Sequence, residues 1–528
     1  MSSPDTSTPT TNPILQIKNL SFTYQGNLSP ALSNINLTVG AGEFVVIAGP
    51  SGSGKSTLGR CLAGFIPHEY LGEFQGSVIV QNQDSTTSTI PDLARKISLV
   101  QQDPDSQLVT LSVMNELAFG PENFLIPPNE IREKADWALN AISAQHLQAR
   151  NTYALSGGEK QKIIIASFLC IQGPILLLDE PTARLDPTTA EDVIRTLRQL
   201  NRKGLTIIVI EHRIQPFLAY ATRVVLLNNG TLFFNGTPSQ LQANPETLIN
   251  LGVALHPSAF APVASPPLPT PHQKRLEVQN LTFTYPETET KSPNPPAIEE
   301  LSFSLHPGEI IALMGPNGSG KTTLLMHIIG LLKPDVGTIF LDGEPLHRQP
   351  VSQIARKVGF IFQNPLHQIF TSTVWDEILL ASRHLGVPLA TQAQAQAEIL
   401  LDAMGLQSYR DQSPFSLSLG EQRRLTIASV LLHRPKLLLL DEPFIGQDYR
   451  NVHQLMTLLQ QSAQQDTTIV LATHDAAIAE TYCQRLLFLH SGQLLIDAPV
   501  KQGLDYIETL GKTAYQHKPT TREVTAQL

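Results

Sequence analysis

Alternating apolar and polar residues open the patterned part of the chain. Leu15-Gln16-Ile17-Lys18-Asn19-Leu20, continued by Ser21-Phe22-Thr23-Tyr24, reads as a strand with one buried face. Short unbroken apolar runs follow at 44–48, 175–178 and 206–210, suited to parallel strands covered on both faces. Ile164, Phe168 and Ile171 recur at helical spacing. The longest apolar stretch, 163–178, is split by Gln172-Gly173-Pro174 into a helix end and a strand, and so falls short of the roughly 20 apolar residues a membrane span needs. Strands alternating with helices predict an α/β fold.

The whole pattern then recurs. Leu276-Glu277-Val278-Gln279-Asn280-Leu281 restates the first strand, and apolar runs return at 310–314, 437–440 and 468–472. Tyr24 and Tyr285 lie 261 positions apart, Lys55 and Lys321 266, Gln102 and Gln363 261, and Asp179 and Asp441 262. An offset this steady marks an internal duplication. The brief slip comes from a longer Pro-rich connection at 286–296, offset by a longer stretch at 81–91 in the first copy. Residues 1–13, rich in Ser, Thr and Pro with neither a basic start nor an apolar core, read as a disordered leader. The expected organisation is a first domain over 14–253, a Pro-rich tether at 254–274, a second domain over 275–516, and a tail at 517–528.

A formal net charge of −9 leaves no basic field to draw nucleic acid or anionic lipid. Cys61, Cys170 and Cys483 are too scattered for a disulfide framework or a metal cluster, and read as reduced thiols.

Chemistry concentrates where strands end. Gly49-Pro50-Ser51-Gly52-Ser53-Gly54-Lys55-Ser56-Thr57 and Gly315-Pro316-Asn317-Gly318-Ser319-Gly320-Lys321-Thr322-Thr323 both match the phosphate-binding pattern G-x-x-x-x-G-K-[ST]. Small residues let backbone N–H groups close around phosphate oxygens, the lysine adds charge, and the Ser56 or Thr322 hydroxyl can ligate Mg²⁺. These loops call for ATP or another nucleoside triphosphate with Mg²⁺. Asp179-Glu180 and Asp441-Glu442 end the runs at 175–178 and 437–440, the edge where open α/β sheets bind ligands. There Asp179 and Asp441 can hold the metal, while Glu180 and Glu442 can take a proton from the attacking water. Ser156-Gly157-Gly158 starts a helix and so offers an anion site; Ser418-Leu419-Gly420 stands in its place in the second copy.

Taken together, these motifs resemble two ATP-binding cassette (ABC) ATPase domains fused in one chain. The resemblance implies two tandem P-loop NTPase domains, each a mainly parallel β core with an antiparallel β subdomain and a helical subdomain. It assigns Tyr24 and Tyr285 to adenine stacking, Gln102 and Gln363 to Mg²⁺ and to sensing a membrane partner, and His212 and His474 to the γ-phosphate. It places Asp186 and Asp448 in the D-loops. It also implies an internal pseudo-dimer, a head-to-tail sandwich in which the signature of one domain, Ser156-Gly157-Gly158 or Ser418-Leu419-Gly420, completes the ATP site of the other. Leu419, standing where the first copy has Gly157, then makes the two sites unequal: a left-handed backbone there would cost Leu about 1–2 kcal/mol. On this reading the site built on Lys321, Glu442 and His474 is the faster one.

The segments Gln102-Asp103-Pro104-Asp105-Ser106-Gln107-Leu108 and Glu116-Leu117-Ala118-Phe119-Gly120-Pro121 resemble those of energy-coupling factor (ECF) transporter ATPases; Gln363-Asn364-Pro365-Leu366-His367-Gln368-Ile369 repeats the first part only. That family implies a peripheral ATPase on the cytoplasmic face of the membrane, touching it only through integral subunits. Those subunits are a transmembrane T component and an S component that selects a vitamin or transition-metal ion. The alternatives are the fused ATPase of a sugar or peptide importer and a ribosome-associated ABC-F factor, which usually carries a longer charged interdomain helix pair.

Overall fold

Each apolar run of the first copy becomes a strand of one six-stranded sheet. In the computed structural model, which describes residues 13–27, 29–243, 248, 251, 253, 274–286, 295–385 and 391–515, its strand order is Thr231–Gly236, Arg223–Asn228, Phe44–Ala48, Thr206–Ile210, Ile175–Asp179, Ile97–Val100. All neighbours are parallel except the first pair. Phe44–Ala48 is buried on both faces, as its lack of alternation requires. Val45 and Ile47 face a core shared with the phosphate-loop helix, and Phe44, Val46 and Ala48 face the core of the helical region.

A four-stranded antiparallel sheet, ordered Leu32–Val39, Leu15–Tyr24, Gly72–Val80, Gln83–Asp84, covers the first of these cores. The alternation that opens the sequence is not strict. Leu15 and Ile17 are buried and so are Leu20 and Phe22, with the phase shifted by one. A bulge absorbs the shift: Asn19 takes φ 48, and register breaks between Lys18 and Ser21. The second copy bulges at Asn280, also φ 48. Helices Val113–Asn123, Pro128–Ala141 and Gly157–Ile171 form the helical region, with Leu117, Leu139 and Ile165 in its core.

The second copy folds alike. Its six-stranded order is Val358–Ile361, Leu437–Asp441, Thr468–Ala472, Ile310–Met314, Arg485–His490, Gln493–Pro499. The chain divides into two compact units, changing over near residue 255. Nearly all of the leader at 1–13, the tether at 254–274 and the connection at 286–296, and all of the tail at 517–528, lie outside the described residues. Among the described residues, no helix is long and apolar enough to cross a membrane.

Candidate active sites

The phosphate loop of the first unit leaves Phe44–Ala48 and enters helix Lys55–Leu62. Its glycines do two different jobs. Gly49 has φ 152, and a Cβ there would stand 2.2 Å from the Leu227 carbonyl oxygen; at Gly54, with φ 97, a Cβ would meet the Ala31 carbonyl at 2.5 Å. These two are fixed by close backbone approach. Gly52, with φ 77, has open space around it and serves the turn alone. Lys55 is buried and curls back over the loop, donating to the carbonyls of Gly49 at 3.0 Å and Pro50 at 2.8 Å. In the second unit Lys321 repeats this on Gly315 at 2.8 Å and Pro316 at 3.1 Å. Burial draws its pKa down, and the neighbouring Glu442 and Asp441 charges oppose that.

Asp179 and Asp441 end their strands beside these loops. Burial pushes the Asp179 carboxyl up to about 6; the Glu180 charge adds to this, and the Ser56 hydroxyl and Lys55 oppose it. Asp441 is likewise raised to about 6 by burial, against the Thr322 hydroxyl, which donates to it at 2.8 Å. Oδ1 of Asp179 is buried with no hydrogen-bond partner among the described residues. A hard, oxygen-seeking cation suits a hydroxyl, a buried carboxylate and an open phosphate cradle, so these residues fit Mg²⁺.

The next residue carries strain. Glu180 and Glu442 take φ 49 and 48, a left-handed conformation costing a non-glycine residue about 1–2 kcal/mol. Their amides donate to Ile210 and Ala472 of the neighbouring strand, at 2.9 and 3.0 Å, which holds the turn. Each carboxylate then meets the histidine closing that strand, but through different ring nitrogens: His212 Nε2 lies 2.9 Å from Glu180 and His474 Nδ1 3.0 Å from Glu442. Gln102 donates to Oε2 of Glu180 at 2.6 Å. Gln363, at the same place in the second unit, has an exposed side chain.

Tyr24 and Tyr285 reach the loop helices, their hydroxyls 3.1 and 3.2 Å from Thr57 and Thr323. Arg60 also donates to the Tyr24 hydroxyl, and its guanidinium lies over Tyr70, an aromatic neighbour that the sequence pattern did not single out.

Ser156 and Ser418 cap helices Gly157–Ile171 and Leu419–Leu432, each in a capping box with the glutamate three residues on. Ser156 and Ser418 hydrogen-bond to Glu159 and Glu421 of their own helices. The expected strain at Leu419 is absent. Leu419 is the first residue of its helix, and neither it nor Gly157 has a positive φ. A Cβ at Gly157 would meet nothing within 4 Å. Backbone conformation therefore does not separate the two helix starts; only the side chain does.

The glutamine loops show what their motif does. Gln107 accepts from the Gln101 amide at 2.7 Å and donates to the Leu99 carbonyl at 3.2 Å, pinning the loop to its strand; Gln368 does the same on Phe362 and Phe360. Oε2 of Glu116 takes the amides of Val109 and Thr110 and the Thr110 hydroxyl at 2.8–3.1 Å, and Glu377 takes those of Phe370 and Thr371 at 2.8–3.0 Å. These two buried carboxylates fix loops whose apolar side chains stay exposed, Val109 at 64% and Leu111 at 74% in the first unit and Phe370 at 73% in the second; Tyr153 at 69% and Phe415 at 57% are exposed on the short turns Thr152–Ala154 and Pro414–Ser416. Leu111 and Tyr153 are neighbours, since the Thr152 amide donates to the Leu111 carbonyl at 3.1 Å.

Three groups of residues near the motifs had no role in the sequence reading: Arg184 with Asp103, Arg423, and Glu211. Arg184 and Asp103 lie 81 positions apart, Arg423 reaches Gln363 60 positions back and Glu211 reaches Thr182 29 positions back, so no local pattern announces these contacts. Glu211 is fully buried, and burial together with the Glu180 charge pushes its carboxyl up to about 8. It accepts the Thr182 hydroxyl at 2.7 Å and the His212 amide at 3.2 Å.

Comparison with known proteins matches the ABC transporter family model over residues 32–183 and 298–445. A Methanosarcina acetivorans protein named as an ABC transporter ATP-binding protein is 34% identical, covering 95% of this chain and 88% of that one. YkoD of Bacillus subtilis, named for HMP/thiamine import as an ATP-binding protein, is 34% identical over 93% of this chain and 92% of its own. The solved structure of Clostridium perfringens cbiO1, described as part of the ABC transporter complex cbiONQ, is 32% identical. It covers 46% of this chain and 96% of that chain, with a TM-score of 0.41. With two cassettes matched and relatives 34% identical over more than nine-tenths of this chain, the chain belongs to the ABC transporter family of ATP-binding proteins.

Proposed function

We propose that the chain is the energy-coupling subunit of an ECF-type importer. It would sit on the cytoplasmic face of the membrane through integral T and S components and drive uptake of a vitamin or transition-metal ion. As a family member it binds ATP with Mg²⁺ and hydrolyses the nucleotide. The observation that carries the importer reading is the exposed apolar side chains on the loops that Glu116 and Glu377 hold just beyond Gln102 and Gln363: Val109 and Leu111 in the first unit and Phe370 in the second. Exposed apolar side chains on a fixed scaffold suit helices of a membrane protein. YkoD is named for thiamine-related import and cbiO1 for a multi-subunit transporter, which favours the same reading.

In each half the residues divide the work of hydrolysis. Lys55 and Lys321 leave the loop carbonyls and neutralise phosphate charge, while the loop N–H groups hold the phosphates in place. Ser56, Asp179 and Gln102, and Thr322, Asp441 and Gln363, would hold Mg²⁺, which when bound offsets charge on the β- and γ-phosphate oxygens. Glu180 and Glu442 take the proton of the water that attacks the γ-phosphorus as the bond to ADP breaks. His212 and His474 orient the carboxylate and donate toward the γ-phosphate. Tyr24 and Tyr285 offer ring faces to the base, and the helix starts at Ser156-Gly157-Gly158 and Ser418 with Gly420 offer amides to phosphate.

Lys321→Ala, assayed in cells or reconstituted with the membrane partners, should lose ATP-driven uptake and keep subunit assembly. Uptake that continues in this variant contradicts the assignment.

A further inference from the structure

Three elements are joined within each unit: the glutamine loop (102–108 and 363–369), the D-loop (182–186 and 444–448) and the signature helix (Gly157–Ile171 and Leu419–Leu432). The two halves tie them by different means. In the second unit a single residue does it. Arg423, on helix Leu419–Leu432, is 2% exposed. Its guanidinium donates to the Gln363 carbonyl at 2.7 Å and to the Ile445 carbonyl, joining glutamine loop, D-loop and helix through backbone acceptors. The first unit has Gln161 at this position. There, two ion pairs make the ties: Arg184 of the D-loop reaches Asp103 at 2.6 Å, and Lys160 of the helix reaches Asp105 at 2.5 Å.

The second unit lacks every member of those ion pairs. Asn364 stands for Asp103, Leu366 for Asp105, Gln422 for Lys160 and Gly446 for Arg184. Five positions differ in a consistent sense, one set supplying side-chain charges and the other a buried guanidinium with backbone partners. The chemistry of the two ties differs too. Asp105 is 64% exposed and Asp103 39%, so solvent and salt screen them. A planar guanidinium held on two carbonyls out of water is far less open to screening.

We infer that Arg423 is a positioning residue that locks the glutamine loop, D-loop and signature helix of the second half into one body, and that Asp103–Arg184 and Asp105–Lys160 are its salt-sensitive counterpart in the first. The inference goes beyond the importer reading and needs only the family's ATPase activity, so a wrong choice of cargo or partner leaves it untouched.

The test measures steady-state ATP hydrolysis by the full-length chain from about 0.05 to 0.5 M salt, where the Debye length shrinks several-fold. Arg423→Gln should lower kcat about tenfold while KM for ATP moves less than about twofold, and Arg423→Lys should recover part of the loss. Asp103→Asn with Asp105→Asn should lower kcat about threefold and flatten its salt dependence. Adding Gln161→Arg to that pair should restore kcat to within about twofold of the parent and leave it insensitive to salt. Wild-type kcat in Arg423→Gln, a rise in KM as large as the fall in kcat, or no rescue by Gln161→Arg overturns the inference. Should Arg423→Gln not fold, the rescue by Gln161→Arg decides alone.

Discussion

Gln102 donates its side-chain amide to Oε2 of Glu180 at 2.6 Å, while His212 meets Oε1 of the same carboxylate at 2.9 Å. His474 likewise meets Glu442, so the difference seen between the halves is the glutamine: Gln102 lies on its glutamate, whereas Gln363 of the second unit is exposed. A carboxylate that holds a glutamine amide is slower to take a proton from water. Glu442→Gln is therefore expected to remove most of the ATPase rate and Glu180→Gln a smaller share, read from steady-state phosphate release. Equal losses contradict this inequality.

The glycines of each phosphate loop should respond unequally to a methyl group. A Cβ on Gly315 would lie 2.2 Å from the Leu489 carbonyl, whereas one on Gly318 meets nothing within 4 Å. Gly318→Ala then costs about 1 kcal/mol for its left-handed backbone, and Gly315→Ala costs more and distorts the cradle. Thermal melting and nucleotide binding of the two variants should rank them in that order.

At Leu419 the only difference from Gly157 is the side chain, since both are helical. Leu419→Ala and Leu419→Gly should therefore raise ATP turnover to a similar degree, with the glycine variant about 1 kcal/mol less stable from helix propensity. A gain confined to Leu419→Gly would show instead that backbone freedom was what the helix start lacked.

Glu211 gives the first unit a pH dependence that Thr473 cannot give the second. Its folded pKa, about 8, lies above the ordinary carboxyl value of 4.5. Between those values the folded chain keeps a proton that the unfolded chain has lost, so this group's contribution to stability declines as pH rises from about 4.5 to 8. Glu211→Gln should have a smaller fall in Tm between about pH 5 and 8 than the parent, and parallel Tm profiles would refute the assignment.

The parts of the fold legible in the sequence were those set by local pattern. Unbroken runs such as 44–48 and 437–440, too short for helices and ending at glycine or acidic turns, suit strands buried on both faces, and the phosphate loop follows from the spacing of Gly49, Gly54, Lys55 and Ser56. The bulge at Asn19 was not legible, because Leu15 and Ile17 alternate correctly up to the residue that breaks the phase. Nor was the dihedral at Leu419, since a helix N-terminus and a left-handed turn can both follow a serine. The Asp103–Arg184 pair stayed invisible for a different reason. Its members lie 81 positions apart, and only the sheet that sets strand Ile97–Val100 beside Ile175–Asp179 brings them together. Glu116 was part of a recognised motif, but its task of holding Val109 and Thr110 follows only from the loop's path.

In the importer reading this ATPase works on a membrane protein. Affinity purification of the full-length chain from detergent-solubilised membranes of its own host, followed by identification of what comes with it, addresses this without intermediates. A small integral membrane protein of the T type is expected, lost when Phe370 and Phe415 are replaced by serine. Recovery of ribosomal subunits with no integral membrane protein would contradict the importer reading.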